Sequence, residues 1–194
     1  LADDVGFMSE LLDVLAGQVE IDARRVFVTG FSNGGAMAFR LGVDLSQRIA
    51  AIAPVACTLW RRDVPPSRPV SLLCVTGAAD PLNPVEGGEY RTPWDDWERK
   101  PPLRETLALW ARWCGCSETP QPLLTPPGVR GERYGPGPSG AEIIAYVVDG
   151  AGHVWPRGRS GRVAPRAGGE GASLNATDVI WGFFRSRPAA RGTG

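Results

Sequence analysis

The chain holds one histidine, His153, in 194 residues. No C-x-x-C pair occurs, and the four cysteines lie far from that histidine in sequence, so no zinc-binding set is present in the pattern. Charge of either sign is not in excess: 21 Lys and Arg balance 21 Asp and Glu. A net charge of zero removes the electrostatic case for nucleic acid or an anionic membrane as partner, and a neutral substrate fits better. No stretch approaches the roughly 18 consecutive apolar residues of a membrane span, and the N-terminus carries no signal-peptide pattern. Internal repeats are missing too. Cys114 and Cys116 are too close for an easy mutual bridge, and Cys57 and Cys74 stand in apolar strand-like runs where reduced cysteine is common, so no disulfide pairing follows. Nothing in the composition singles out an oligomeric state.

With 43% hydrophobic residues, the chain is long enough for one globular domain, taken here as residues 1–194. It opens at Leu1 rather than Met and enters a helical pattern almost at once, so we expect an N-terminally incomplete domain whose compartment is not legible from a missing leader. Val5, Met8, Leu12 and Leu15, with Leu11 beside them, recur at helical spacing and predict an amphipathic helix over 4–17. "RVFVTG" (25–30), "IAAIAPVA" (49–56), "PVSLLCVTG" (69–77) and "AEIIAYVVDG" (141–150) are apolar runs bounded by Gly or Pro, the mark of buried parallel strands. Helical period returns from Gly34 to about Leu45, from Leu103 to Cys114, and from Leu174 to Phe184. The alternation predicts an α/β fold with a mostly parallel sheet covered by helices on both faces. Stretches rich in Pro, Gly and Arg at about 125–140 and 156–171 read as loops, and 187–194 as a disordered tail.

The segment "VTGFSNGGAMAFR" joins a strand directly to a helix through G-F-S-N-G. In such a turn the glycines flanking Ser32 let backbones approach closely, and the serine is left projecting at the carboxyl end of the sheet. It also stands at a helix N-terminus, where the backbone N–H of Asn33 can donate to a developing oxyanion. Serine needs a base, normally histidine, with a carboxylate fixing its tautomer. His153 lies in the small-residue loop "DGAGHVWP" after a strand, which exposes the ring. Asp80, in the turn "GAADP" after another strand, gives the order Ser, Asp, His. Asp149, four residues before His153, is the rival acid; Asp80 is preferred because it approaches from a separate strand end. Asp63, Asp95, Asp96 and Asp178 have plainer readings as loop or helix-start charges.

"GFSNGGAMAFR", "GAADPLNPVEGG", "GAGHVWP" and "NATDVIWGFF", in that order, resemble the polyhydroxybutyrate depolymerase and feruloyl esterase group of the α/β-hydrolases. "DDVGFMSELLDVLAGQVEIDARRVFVTG" is similar to that group as well, so the likeness runs from Asp3 to Phe184. It implies an α/β-hydrolase fold, secretion, no metal or cofactor, and cleavage of an ester substrate, possibly polymeric: a polyester, or hydroxycinnamoyl and acetyl esters of plant polysaccharide. Carried over residue by residue, it makes Ser32 the nucleophile, Asp80 the acid and His153 the base. The chain departs from the group at Thr76, where histidine is usual, at Val85, near which an aromatic is usual, and at Val154, where threonine is usual. Trp155 is a candidate stacking surface for an aromatic acyl group, or an aromatic that packs the loop down.

The group's second oxyanion donor comes from a loop after an early strand, and no H-G-G-like segment precedes Asp3. The early strands are missing as well, which leaves strand 25–29 with an unpaired edge. The expectation is therefore a poorly soluble or weakly active 194-residue chain from an esterase gene. Two other classes share parts of this pattern: a non-catalytic hydrolase-like binding module, to which Arg157, Arg159, Arg162 and Arg166 lend some weight, and a serine peptidase of the same fold. Asn175-Ala176-Thr177 is a glycosylation sequon whose Asn and Thr would serve equally as helix caps. Trp94 and Trp97 flank two aspartates in a segment that could overhang the site.

Overall fold

The computed structural model describes residues 3–60, 62–91, 96–157 and 174–187. In chain order these form α1 (Asp4–Gln18), β1 (Phe27–Phe31), α2 (Asn33–Asp44), β2 (Ala51–Val55), β3 (Ser71–Gly77), β4 (Gly88–Arg91), β5 (Trp97–Lys100), α3 (Leu103–Trp113), β6 (Gln121–Leu123), β7 (Val129–Tyr134), β8 (Ile143–Val148) and α4 (Ala176–Ser186). The six-stranded sheet has the order β1-β2-β3-β8-β7-β6. From β1 through β8 its neighbours run parallel, and β7 and β6 add antiparallel pairs at the far edge.

The central strands are apolar on both faces because both are covered. Ile52, Leu72, Cys74, Ile143 and Ala145 meet Phe39 and Val43 of α2 and Leu107 and Trp110 of α3. Their alternates Ala51, Ala53, Val55, Leu73, Val75 and Val148 meet Ile180, Phe183 and Phe184 of α4. This two-sided burial is what erases strand-like alternation from the sequence. Trp110 is fully buried, and its indole N–H donates to the Val70 carbonyl at 2.8 Å. Its ring meets Phe39 edge-on at 5.5 Å. Trp110→Ala should therefore lower unfolding stability by about 3–5 kcal/mol, read as a fall in the urea midpoint at constant slope.

Three expectations change. The 125–140 segment is not all loop, since β7 occupies Val129–Tyr134. Only Val129 and Tyr134 of that strand are buried, and the glycine and charged residues between them conceal a strand held by its ladder to β8. The region between β3 and α3 contains the antiparallel β4–β5 hairpin, which includes Trp97; Trp94 lies outside the described residues. Helix α1 forms with Asp3 as its cap, the carboxylate accepting from Gly6 N at 2.9 Å, but none of its residues is buried. Phe7, Leu11, Val14 and Leu15 are exposed. The described contacts of α1 include Arg48, which donates to the Ser9 carbonyl and pairs with Asp13 at 2.7 Å. The expected loop over 156–171 is described only to Arg157, so Arg159, Arg162 and Arg166 lie outside the described residues, as does the 188–194 part of the expected tail.

Candidate active site

β1 turns into α2 at Ser32, which adopts φ 54° and ψ −117°, a region that residues with a Cβ rarely occupy. The turn stays tight because a Cβ on Gly30 would lie 2.2 Å from the Gly34 carbonyl oxygen. The two flanking glycines do not share the burden. A Cβ on Gly34 would meet nothing within 4 Å, whereas one on Gly35 would lie 2.8 Å from the Cys57 Cβ. The crowded positions are thus Gly30 of the motif and Gly35 just beyond it. Ser32 N is held by the Val55 carbonyl at 2.9 Å, which anchors the elbow to the end of β2. Asn33 opens α2, so its N–H belongs to the first turn, whose amides have no partner within the helix.

β3 ends at Gly77, where a Cβ would come within 2.2 Å of the Ala151 carbonyl oxygen. This close approach brings the turn after β3 against the loop after β8, and Ala79 N donates to the Ala151 carbonyl across it at 2.9 Å. Asp80 follows, with its side chain fully shielded from solvent. One carboxylate oxygen, Oδ1, accepts from Leu82 N and Asn83 N at 2.9 Å each, a self-contained turn. The other, Oδ2, lies 2.8 Å from His153 Nδ1. Because a carboxylate only accepts, this contact places the proton of a neutral imidazole on Nδ1 and leaves Nε2 an acceptor. Nε2 lies 2.9 Å from Ser32 Oγ, so the hydroxyl donates to it. One hydrogen-bonded chain thus joins side chains from three separate strand ends.

Asp149, the rival acid, is exposed and paired with Arg130 at 3.3 Å. Thr76, where the resembling group has histidine, is buried, and its hydroxyl accepts from Asn83 Nδ2 at 3.4 Å, joining β3 to the Asp80 turn. Trp155 turns away to α4, where its indole N–H donates to Thr177 Oγ1 at 3.0 Å and its ring packs against the apolar cluster on that face. That is the packing role weighed for it above. The sequon asparagine is the α4 cap, its side chain accepting from Thr177 N and Asp178 N. Among the described residues, Phe31 lies beside the imidazole, its ring centroid 4.9 Å from that of His153. Its position directly before the serine was the one available signal, and it carries no weight until the strand end is seen to face the histidine loop.

Cys57, Cys74, Cys114 and Cys116 are buried free thiols. Burial pushes Cys57 up to about 11 and Cys74 up to about 12, which keeps both protonated and non-nucleophilic at neutral pH. Asn33 also lines a groove of about 790 Å³ between α1 and α2, with Phe7, Met8, Met37, Leu59 and Trp60 as its apolar walls. Among the described residues, no helix is long and apolar enough to cross a membrane.

A mostly parallel sheet with helices on both faces, and polar side chains converging beyond its strand ends, defines an α/β-hydrolase type of fold. Two esterase structures share it: esterase PE8 superposes with a TM-score of 0.53 at 16% identity, covering 93% of this chain and 58% of that one. The acetyl xylan esterase from Aspergillus awamori gives 0.53 at 16% identity, with 77% and 61% covered. No family model matches the sequence. Among relatives, the protein named "Putative esterase NocK" of Nocardia uniformis subsp. tsuyamanensis is 32% identical over 169 residues, 80% of this chain and 49% of that protein. Feruloyl esterase B of Piromyces equi is 28% identical over 165 residues, 82% of this chain and 30% of that protein. The chain spans about half the length, or less, of these curated relatives. The chain is thus similar in sequence to proteins named putative esterase and feruloyl esterase, and similar in fold to two esterase structures.

Proposed function

We propose that the protein hydrolyses carboxylic esters through an acyl-enzyme on Ser32. The observation that carries this reading is the Ser32–His153–Asp80 hydrogen-bonded chain, assembled from the ends of β1, β8 and β3. His153 Nε2 takes the Ser32 proton as Oγ attacks the ester carbonyl carbon, and the carbonyl π electrons move onto oxygen. The Asn33 N–H donates to that oxyanion, and Asp80 stabilises the imidazolium formed on His153. Collapse of the intermediate expels the alcohol, which takes the proton from Nε2. Water then attacks the acyl-serine with the same base, the acid leaves, and the hydroxyl of Ser32 is restored.

The groove beside Asn33 has Phe7, Met8, Met37, Leu59 and Trp60 on its walls, with Asp4, Arg40 and Asp44 also on its lining, and this mainly apolar surface suits an uncharged acyl or alcohol group. Together with the relatives named feruloyl esterase and the neighbour titled acetyl xylan esterase, this supports a polysaccharide-borne hydroxycinnamoyl or acetyl ester, or a polyester, as substrate. Polysaccharide-borne esters of the plant wall are met outside the cell, and we assign the protein there. A fluorophosphonate probe, whose phosphorus is attacked by an activated serine with loss of fluoride, should label the chain at the Ser32 peptide in tandem mass spectra. A folded protein that resists the probe would reduce the Ser32 chain to a structural contact and favour a binding module.

A further inference from the structure

We propose that Lys100 is a positioning residue: its ammonium, inserted from the β4–β5 hairpin, fixes the peptide plane that holds the Asp80 carboxylate. Lys100 ends β5, and its Nζ donates to the Leu82 carbonyl at 2.7 Å. That carbonyl belongs to the same peptide unit as Asn83 N–H, and Asn83 N–H is one of the two amides that hold Asp80 Oδ1. A planar peptide cannot turn its C=O without turning its N–H. A cation on the carbonyl also polarises the unit and strengthens the N–H as a donor to Oδ1.

The remaining surroundings of the ammonium fit an anchor better than a free substrate-binding cation. Nζ sits over the Tyr90 ring at 4.3 Å and the Trp60 ring at 5.3 Å. The ammonium thus donates to one carbonyl and is attracted to two aromatic rings. The nearby carboxylate Glu98 is engaged by the Tyr90 hydroxyl at 2.5 Å, and Cys57 is held protonated by burial. Burying an ammonium is unfavourable, and burial lowers the pKa of Lys100. Packing between two rings alone would be served as well by an apolar side chain. Among the described residues, the ammonium donates to the Leu82 carbonyl, two residues from Asp80, and the Asp80 and Glu98 carboxylates favour its charge.

The inference concerns the same site as the esterase reading, but one of its measurements is independent of activity. His153 is the chain's sole histidine, so the proton shared between Nδ1 and Asp80 gives one assignable low-field signal in the proton NMR spectrum. Lys100→Met keeps the length of the side chain between the rings and removes the ammonium. In that variant the low-field signal should be lost to solvent exchange, and kcat for a short neutral ester should fall about tenfold with KM within about twofold. Lys100→Arg, which keeps a stacked cation and a donor, should restore the signal and most of kcat.

A folded Lys100→Met variant with the parental signal and kcat would overturn the proposal, as would a change confined to KM, which would make Lys100 a substrate contact. If Lys100→Met loses its cooperative melt, Lys100→Arg decides: the signal present supports the proposal, and a variant that lacks the signal or does not fold overturns it. A parent protein that shows the signal but turns over no ester fails the esterase reading and leaves the positioning result standing.

Discussion

Ser32→Ala should lower kcat for a short-chain nitrophenyl ester by about 10⁴- to 10⁶-fold, the range over which removal of a triad serine acts. The substitution keeps the Cβ, so the left-handed backbone at φ 54° is retained with whatever strain it carries. It removes the hydroxyl that donates to His153 Nε2 at 2.9 Å. The imidazole loses little by this: its side chain is 12% exposed, so water can replace the hydroxyl, and its bond to Asp80 is untouched. Melting temperature should stay within a few degrees of the parent, because the loss of one partly exposed hydrogen bond amounts to about 1 kcal/mol. Circular dichroism and thermal melts beside the rate assay separate loss of chemistry from loss of fold. Residual turnover within tenfold of the parent, after excluding contaminating esterase, would sink the assignment of Ser32 as nucleophile.

How much of this was legible in the sequence follows from where each interaction lies along the chain. β1, β2, β3 and β8 show as apolar runs because both faces of each are covered, and the G-F-S-N-G turn is local, with its crowding set by Gly30 against Gly34. The order Ser32, Asp80, His153 could be proposed since each follows such a run. β7 could not, because its alternation is broken by Gly131 and charged residues and its pairing partner β8 lies beyond the next loop. Helix α1 was legible as a helix, yet its period did not announce that none of its residues is buried. Phe31 against His153 and Lys100 against Leu82 join residues 122 and 18 positions apart respectively, and nothing in the local pattern of either residue announces the contact. What the sequence conveys best is the burial of each element. What it conveys least is which loop closes over which.

The acid is the member of the site whose identity had a rival in the sequence, and the two aspartates predict opposite outcomes. Asp80→Asn should lower kcat by about 10⁴-fold. The fully shielded carboxylate accepts from His153 Nδ1 at 2.8 Å, and an amide can instead offer its NH₂ to Nδ1. The imidazole would then carry its proton on Nε2, the nitrogen that must accept from Ser32, and the base would be lost with the geometry intact. The charge that stabilises the imidazolium would be lost with it. Asp149→Asn removes only an exposed pair with Arg130 at 3.3 Å, a contact that contributes about 0–1 kcal/mol and is screened by salt. Its kcat should stay within about twofold of the parent, because the described bonds of Asp149 run to Arg130 and, through its backbone, to Gly128, with no step to the imidazole. The comparison is sharper than either variant alone, since both remove one negative charge from loops at the same end of the sheet. If long-range charge governed His153, the two losses would be of similar size; if the directed bond to Nδ1 governs it, they differ by orders of magnitude. A large loss in Asp149→Asn with near-parental turnover in Asp80→Asn would move the acid to the end of β8.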